Sequence, residues 1–337
     1  MRRVRPAAAG FTIAALVAGA ACAPADNSSG SKKAESAAGL AGGGSGAGAP
    51  ATAGAGGARD TAMAVRVGVT QGLQTPESVR YDPDQDVYFI SNVNGNPAKK
   101  DHNGWIGRVR ADSLGRATVF IADGQESVFL NAPKGMAIQG DTLWVTDIDI
   151  VRGFDRHTGK FVAAVGFWSK NATFLNDIVL GGDGALYVTD TGLSFDASGE
   201  MVHSGVDRIF RLAGRTGMTE EAKGDILARP NGITFDSANT RFLLAPLGGK
   251  EVQSWRPGAL PEPFATGPGS YDGIEIVKGR VYVSSWADSA VHVIENGTMR
   301  PIIRNVPSPA DIGVDTKRGI IAVPLFNANR VEYYKLP

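Results

Sequence analysis

Six polar residues occupy the same point of a recurring three-residue phrase, and together they could hold a metal ion. They are Glu77 in Pro76-Glu77-Ser78, Lys134 in Pro133-Lys134-Gly135, Asn176 in Leu175-Asn176-Asp177, Asn231 in Pro230-Asn231-Gly232, Asp272 in Tyr271-Asp272-Gly273 and Asp311 in Ala310-Asp311-Ile312. Their formal charges sum to −2. Carboxylates and amide carbonyls are hard oxygen donors, suited to Ca²⁺, Mg²⁺ or Mn²⁺ and not to soft metals. No cysteine or histidine stands at any of these points, which disfavours a zinc site of the nitrogen/sulfur type. The plainer role for such residues is to cap strands and bond turn amides.

Convergence of the six depends on the elements that carry them. The phrases begin 39 to 57 residues apart, and each is followed by a polar turn and then an apolar run. The runs are Val87-Tyr88-Phe89-Ile90, Leu143-Trp144-Val145, Leu186-Tyr187-Val188, Phe242-Leu243-Leu244, Val281-Tyr282-Val283 and Ile320-Ile321-Ala322-Val323. Short strands at a period of about 40 to 50 residues are the signature of a β-propeller with one blade per copy. The expected fold is therefore all-β, a six-bladed β-propeller over residues 62–337. If each phrase opens the innermost strand of its blade, the six polar residues ring one mouth of the central channel. The last phrase leaves only 28 residues to the C-terminus, enough for three strands. The alternating segment Met63 to Thr70 is expected to supply the fourth and close the ring, which removes free sheet edges. Two loops exceed what the fold needs, Asn92 to Gly107 and Thr191 to Asp207. Both follow a second strand and should project over one end as lids or binding loops.

Other residues carry weaker signals. His102 and His203 lie in the two long loops, from which a histidine could reach the mouth and act as a base. His157 sits in the hairpin turn Asp155-Arg156-His157-Thr158-Gly159, and His292, within Val291-His292-Val293, is expected to face solvent. Trp105, Trp144, Trp168, Trp255 and Trp286 lie mostly in or beside strands and are expected to pack between blades. There is no Gly-Xaa-Ser-Xaa-Gly elbow with a plausible partner and no phosphate loop.

The N-terminal part reads differently. Met1-Arg2-Arg3-Val4-Arg5 is basic and Phe11 to Ala21 is apolar, too short to span a membrane, so residues 1–21 read as a secretory signal peptide. Residues 22–61, rich in Gly, Ala and Ser, read as a disordered linker. Cys22 is the only cysteine, so no internal disulfide can form. Its place resembles the bacterial lipoprotein signal, in which that cysteine is acylated, although Gly19 stands where that signal usually has Leu. Ordinary cleavage after Ala18-Gly19-Ala20 is the alternative. The expected location is the bacterial cell envelope, as a lipoprotein anchored through Cys22 or otherwise periplasmic or secreted. Removing residues 1–21 takes the balance from 34 basic and 34 acidic residues to a net charge of −3. The lack of a basic cluster argues against a nucleic-acid surface, and a monomer is expected.

The ordered phrases Glu77-Ser78, Leu175-Asn176-Asp177, Pro230-Asn231-Gly232 and Asp272-Gly273 resemble those of the gluconolactonase, senescence marker protein (regucalcin) and luciferin-regenerating enzyme family of six-bladed propellers. The likeness runs from about Thr75 to the C-terminus. It implies that Glu77, Asn231 and Asp272 hold one divalent cation over the channel, calcium first, with magnesium, manganese or zinc open. It also implies that Asn176 contacts substrate and that Asp272 serves as general base. A cation polarises a lactone carbonyl and a nearby carboxylate accepts the proton, so the chemistry is self-consistent. The chain departs from the family at Phe174, where its sugar-lactonases place an arginine that holds substrate hydroxyls. Phe174 suggests a less hydroxylated substrate, or none. Lys134 could hold an anionic substrate group or orient a carboxylate, or it could neutralise Glu77 or Asp311. The expected function is metal-dependent hydrolysis of a small lactone or related ester. The alternative is a non-catalytic envelope propeller, NHL-like, that binds a protein or glycan through its loops.

Overall fold

A computed structural model describes residues 62–124 and 128–337; the signal peptide, the linker and Cys22 lie outside the described residues. Six antiparallel blades of four strands radiate from a central axis. Their inner strands are Pro76–Asp82, Pro133–Gln139, Leu175–Leu180, Pro230–Asp236, Tyr271–Val277 and Gly313–Asp315. Blades four and five touch edge to edge through a single parallel bridge, Thr266 to Thr298. As expected, the ring is closed by the N-terminal strand. Val65–Thr70 pairs antiparallel with the C-terminal strand Arg330–Lys335, from Val65 opposite Lys335 to Thr70 opposite Val331. Thr70 is fully buried at this seam and shares a 3.0 Å hydrogen bond with the Tyr333 hydroxyl.

Apolar clusters fill the spaces between neighbouring blades. Phe89 and Ile106 of blade one meet Met136 and Phe154 of blade two. Trp144 meets Phe210 between blades two and three, and Tyr187 meets Phe242 and Trp255 between three and four. Tyr81, Tyr88 and Tyr333 pack across the closing seam. Each fully buried side chain of this size contributes about 1.5–3 kcal/mol of transfer free energy. A blade is thus covered on both faces, which is why the second strands read as unbroken apolar runs. The same sandwiching corrects one expectation. His292 does not face solvent: Val291 and Val293 pack toward blade six, Ile294 packs toward blade four, and His292 is 4 % exposed, with Nε2 2.9 Å from the Asp288 carboxylate. Alternation in a third strand marks two buried faces, not a buried and a wet one.

Candidate active site at the propeller mouth

Each phrase begins an inner strand and interrupts its pairing. In blades one to five the register skips at Pro76/Val79, Pro133/Met136, Leu175/Ile178, Pro230/Gly232 and Tyr271/Ile274. A bulge bends the strand and re-aims its side chain. Here the re-aimed side chain is the polar one. Glycine follows it where the next blade presses in: a Cβ on Gly232 would lie 2.2 Å from the Asp272 carbonyl oxygen, and one on Gly273 would lie 2.4 Å from the Ile312 nitrogen.

Hydroxyls and carboxylates at the ends of the second strands fix the phrases. Thr189 Oγ1 takes the Asp177 N–H at 2.9 Å and donates to the Asn231 carbonyl at 2.7 Å. Ser284 does the same with Gly273 N–H and the Ala310 carbonyl, each at 2.9 Å. Asp147 accepts the Ala132 N–H at 2.8 Å and Asp190 accepts the Phe174 N–H at 2.9 Å, so the turns that lead into Lys134 and Asn176 are clamped. One blade's hydroxyl therefore positions the next blade's site residue, and the mouth is as rigid as the ring.

All six ring residues are between 1 % and 6 % exposed. Asp272 Oδ2 accepts the indole N–H of Trp286 at 2.8 Å, while Asp272 Oδ1 and Glu77 Oε2 are buried and have no hydrogen-bond partner among the described residues. Burial pushes the Asp272 carboxyl up to about 8, with Asp311 adding to the rise and the Trp286 N–H and the nearby Asn231 amide opposing it. Burial, then Asp272 and Asp311, hold Glu77 well above its ordinary range, against the Lys134 ammonium. Lys134 is drawn down to about 8 by burial, against the pull of Glu77 and Asp147. Its Nζ donates to the Ala132 carbonyl at 3.1 Å and sits 4.3 Å from the centre of the Phe174 ring. Asn176 Nδ2 donates to Thr191 Oγ1 at 3.0 Å, and Asn231 Nδ2 to the Tyr271 carbonyl at 3.3 Å.

Among the described residues, no three His, Cys, Asp or Glu side chains form a metal-binding group by themselves. Glu77 and Asp272 nevertheless present orphaned buried oxygens, and with Nδ2 of Asn231 engaged as donor its amide oxygen is the third hard atom available. The oxygens of Glu77, Asn231 and Asp272 are of the hard type that divalent cations such as calcium take.

Asp311 shares the ring only in part. Its carboxylate accepts the Ser78 hydroxyl, and its nearest charges also include Asp177, Arg80 and Glu275 one layer further along the axis. That layer holds a half-buried ion pair, Arg80 Nη1 to Glu275 Oε1 at 2.7 Å, and Asp177, whose carboxylate accepts the Ile233 and Ile178 N–H groups and is raised by burial to about 7. The two long loops lie at the ring's end, as expected, and each of their histidines meets a carboxylate outside the ring. His102 lies 3.5 Å from Asp123 and edge-on to Phe129; His203 is held 2.6 Å from Asp207. Trp286 and Thr191 are the site residues that sequence reasoning missed. They occupy the first position after a second strand, shared with Val93, Ile148, Leu247 and Phe326, where no common residue type gives a signal.

No protein-family model matches the chain, and no curated protein matches it in sequence. Solved structures do match. A putative gluconolactonase is 19 % identical, with a TM-score of 0.61 over 82 % of this chain and 92 % of its own. A gluconolactonase from Xanthomonas campestris is 16 % identical, with a TM-score of 0.57 over 81 % and 97 %. A catalytically inactive variant of virginiamycin B lyase from Staphylococcus aureus, solved with quinupristin, is 15 % identical, with a TM-score of 0.53 over 81 % and 98 %. The chain has the six-bladed propeller fold of these gluconolactonase-like structures.

Proposed function

We propose that the protein is a divalent-cation-dependent hydrolase of a lactone or related ester, with calcium the first candidate cation. One observation carries this reading: Glu77 Oε2 and Asp272 Oδ1 are buried at the same mouth without a hydrogen-bond partner among the described residues. A buried carboxylate without a partner is costly, and a bound cation is its natural compensation. Glu77, Asn231 and Asp272 would hold the ion, which when bound supplies Lewis-acid polarisation of the ester carbonyl.

The chain's own groups do the rest. The Asp272 carboxylate, steadied by the Trp286 N–H on Oδ2, takes the proton of the attacking water. A base whose pKa lies near the working pH suits that task. Asn176, anchored on Thr191, orients the substrate's carbonyl end. Lys134, braced by Phe174 and Ala132, offers a positive charge where negative charge grows on the substrate oxygen.

The first test is the rate at which a panel of lactones and aryl esters is hydrolysed before and after chelation. Turnover lost to the chelator and regained with calcium, manganese or zinc is the expected result. Turnover indifferent to chelation would contradict the reading.

A further inference from the structure

The two long loops enclose a cleft of about 380 Å³ on the same end of the propeller as the ring. Its apolar lining comes from Ala98 of the first loop, Ile148, Ala172 and Phe195 of the second loop's hairpin. The cleft adjoins the mouth through a shared wall. Ile148 accepts the Leu175 N–H at 2.7 Å, and Thr173, on the cleft side, directly precedes Phe174, whose ring carries the Lys134 ammonium. Asp149 lines the cleft and is also among the carboxylates whose charge reaches Lys134.

Several of the cleft's polar groups are already engaged, and the Asn96 amide oxygen accepts the Ala98 N–H at 2.9 Å. Asp149 is paired with Lys100 at 2.5 Å, and Lys99 lies 4.0 Å from Asp101. The Ser194 hydroxyl is bonded to Ser204 at 2.6 Å. The Thr173 hydroxyl is buried against Gly205, close enough that a Cβ there would lie 2.6 Å from it. The larger part of what is left to meet a ligand is hydrocarbon, so a polyhydroxylated molecule finds few groups here to match its hydroxyls.

We propose that this cleft receives an apolar arm, the alkyl or aryl substituent of a lactone or ester whose carbonyl lies at the mouth. The assignment rests on the hydrolase reading for the carbonyl's placement, but not for the binding of the arm. Phe195, on the hairpin Leu193–Phe195 and Met201–His203, and Ala98 on the opposite loop set how long an arm fits.

The experiment is calorimetric binding of five-membered lactones with side chains from methyl to hexyl, on the full chain and on Asp272→Asn. Affinity should rise roughly threefold to fourfold per added methylene in both until the cleft is full. Ala98→Trp should flatten that dependence while leaving turnover of the methyl lactone unchanged, and Phe195→Ala should move the limit to longer arms. Affinity that ignores arm length, or a dependence that survives Ala98→Trp, would overturn the assignment. Length-dependent binding with no turnover of any member by the parent would uphold the cleft and sink the hydrolase reading. Turnover of the methyl lactone with no length dependence would do the reverse.

Discussion

Asp272→Asn should lower hydrolysis by roughly 10³-fold or more while leaving the fold intact. General-base catalysis alone is worth about 10²–10⁴-fold, and this substitution also removes a charged ligand from the proposed cation site. Asn is close to Asp in shape, and its amide oxygen can still accept the Trp286 N–H that now reaches Oδ2 at 2.8 Å. The same change should make the cation-free protein more heat-resistant near pH 8, because it deletes a carboxylate that must ionise while buried. Loss of rate together with gained stability separates a catalytic role from a structural one. Activity retained to within about tenfold of the parent would remove Asp272 from the reaction.

The second large effect couples pH to stability. A carboxyl whose folded-state pKa is raised contributes stability that is complete below its ordinary pKa and lost as pH rises through the folded value. Asp272 is raised to about 8 and Asp177 to about 7, and Glu77 and Asp311 move the same way. Carboxyls that are lowered, such as Asp82 and Asp236, give up their contribution only on acidification below the ordinary range. Lys134, lowered to about 8, begins to add stability only above that pH. The melting temperature of the cation-free protein should therefore fall steadily from about pH 5 to pH 8. Calcium should reverse the fall, and by more at pH 8 than at pH 5, because protons compete for the same oxygens. At a hundredfold excess over Kd the gain is about 2.7 kcal/mol, which for a domain of this size is roughly 5 °C. A flat profile, or a cation effect that grows on acidification, would show that these carboxyls do not act as a linked site.

The ring was legible because it repeats. Glu77, Lys134, Asn176, Asn231 and Asp272 hold one place in one phrase, and the bulge at that place turns each of them to the mouth. The closing strand was legible from alternation and from the shortfall of residues in the last blade. Trp286 was not, because the six positions after the second strands share no chemistry from blade to blade. Arg80 and Glu275 were hidden for the same reason: they lie three residues beyond the phrase's polar member, at points held by Ala137, Val179, Thr234 and Val314 in the other blades. Asp311 shows the limit of an equivalence argument. Its phrase matches the others, yet the Ser78 hydroxyl and the charges of the next layer draw on its carboxylate. His292 was misjudged because alternation reports two environments without saying that either is solvent.

The most direct measurement is titration of calcium, manganese and zinc into the protein by calorimetry, beside Glu77→Gln and Asp272→Asn. One site per chain, abolished in both variants and accompanied by proton release at pH 7, is the expected result. Absence of binding in the parent, or binding that both variants retain, would contradict a metal centre at the propeller mouth.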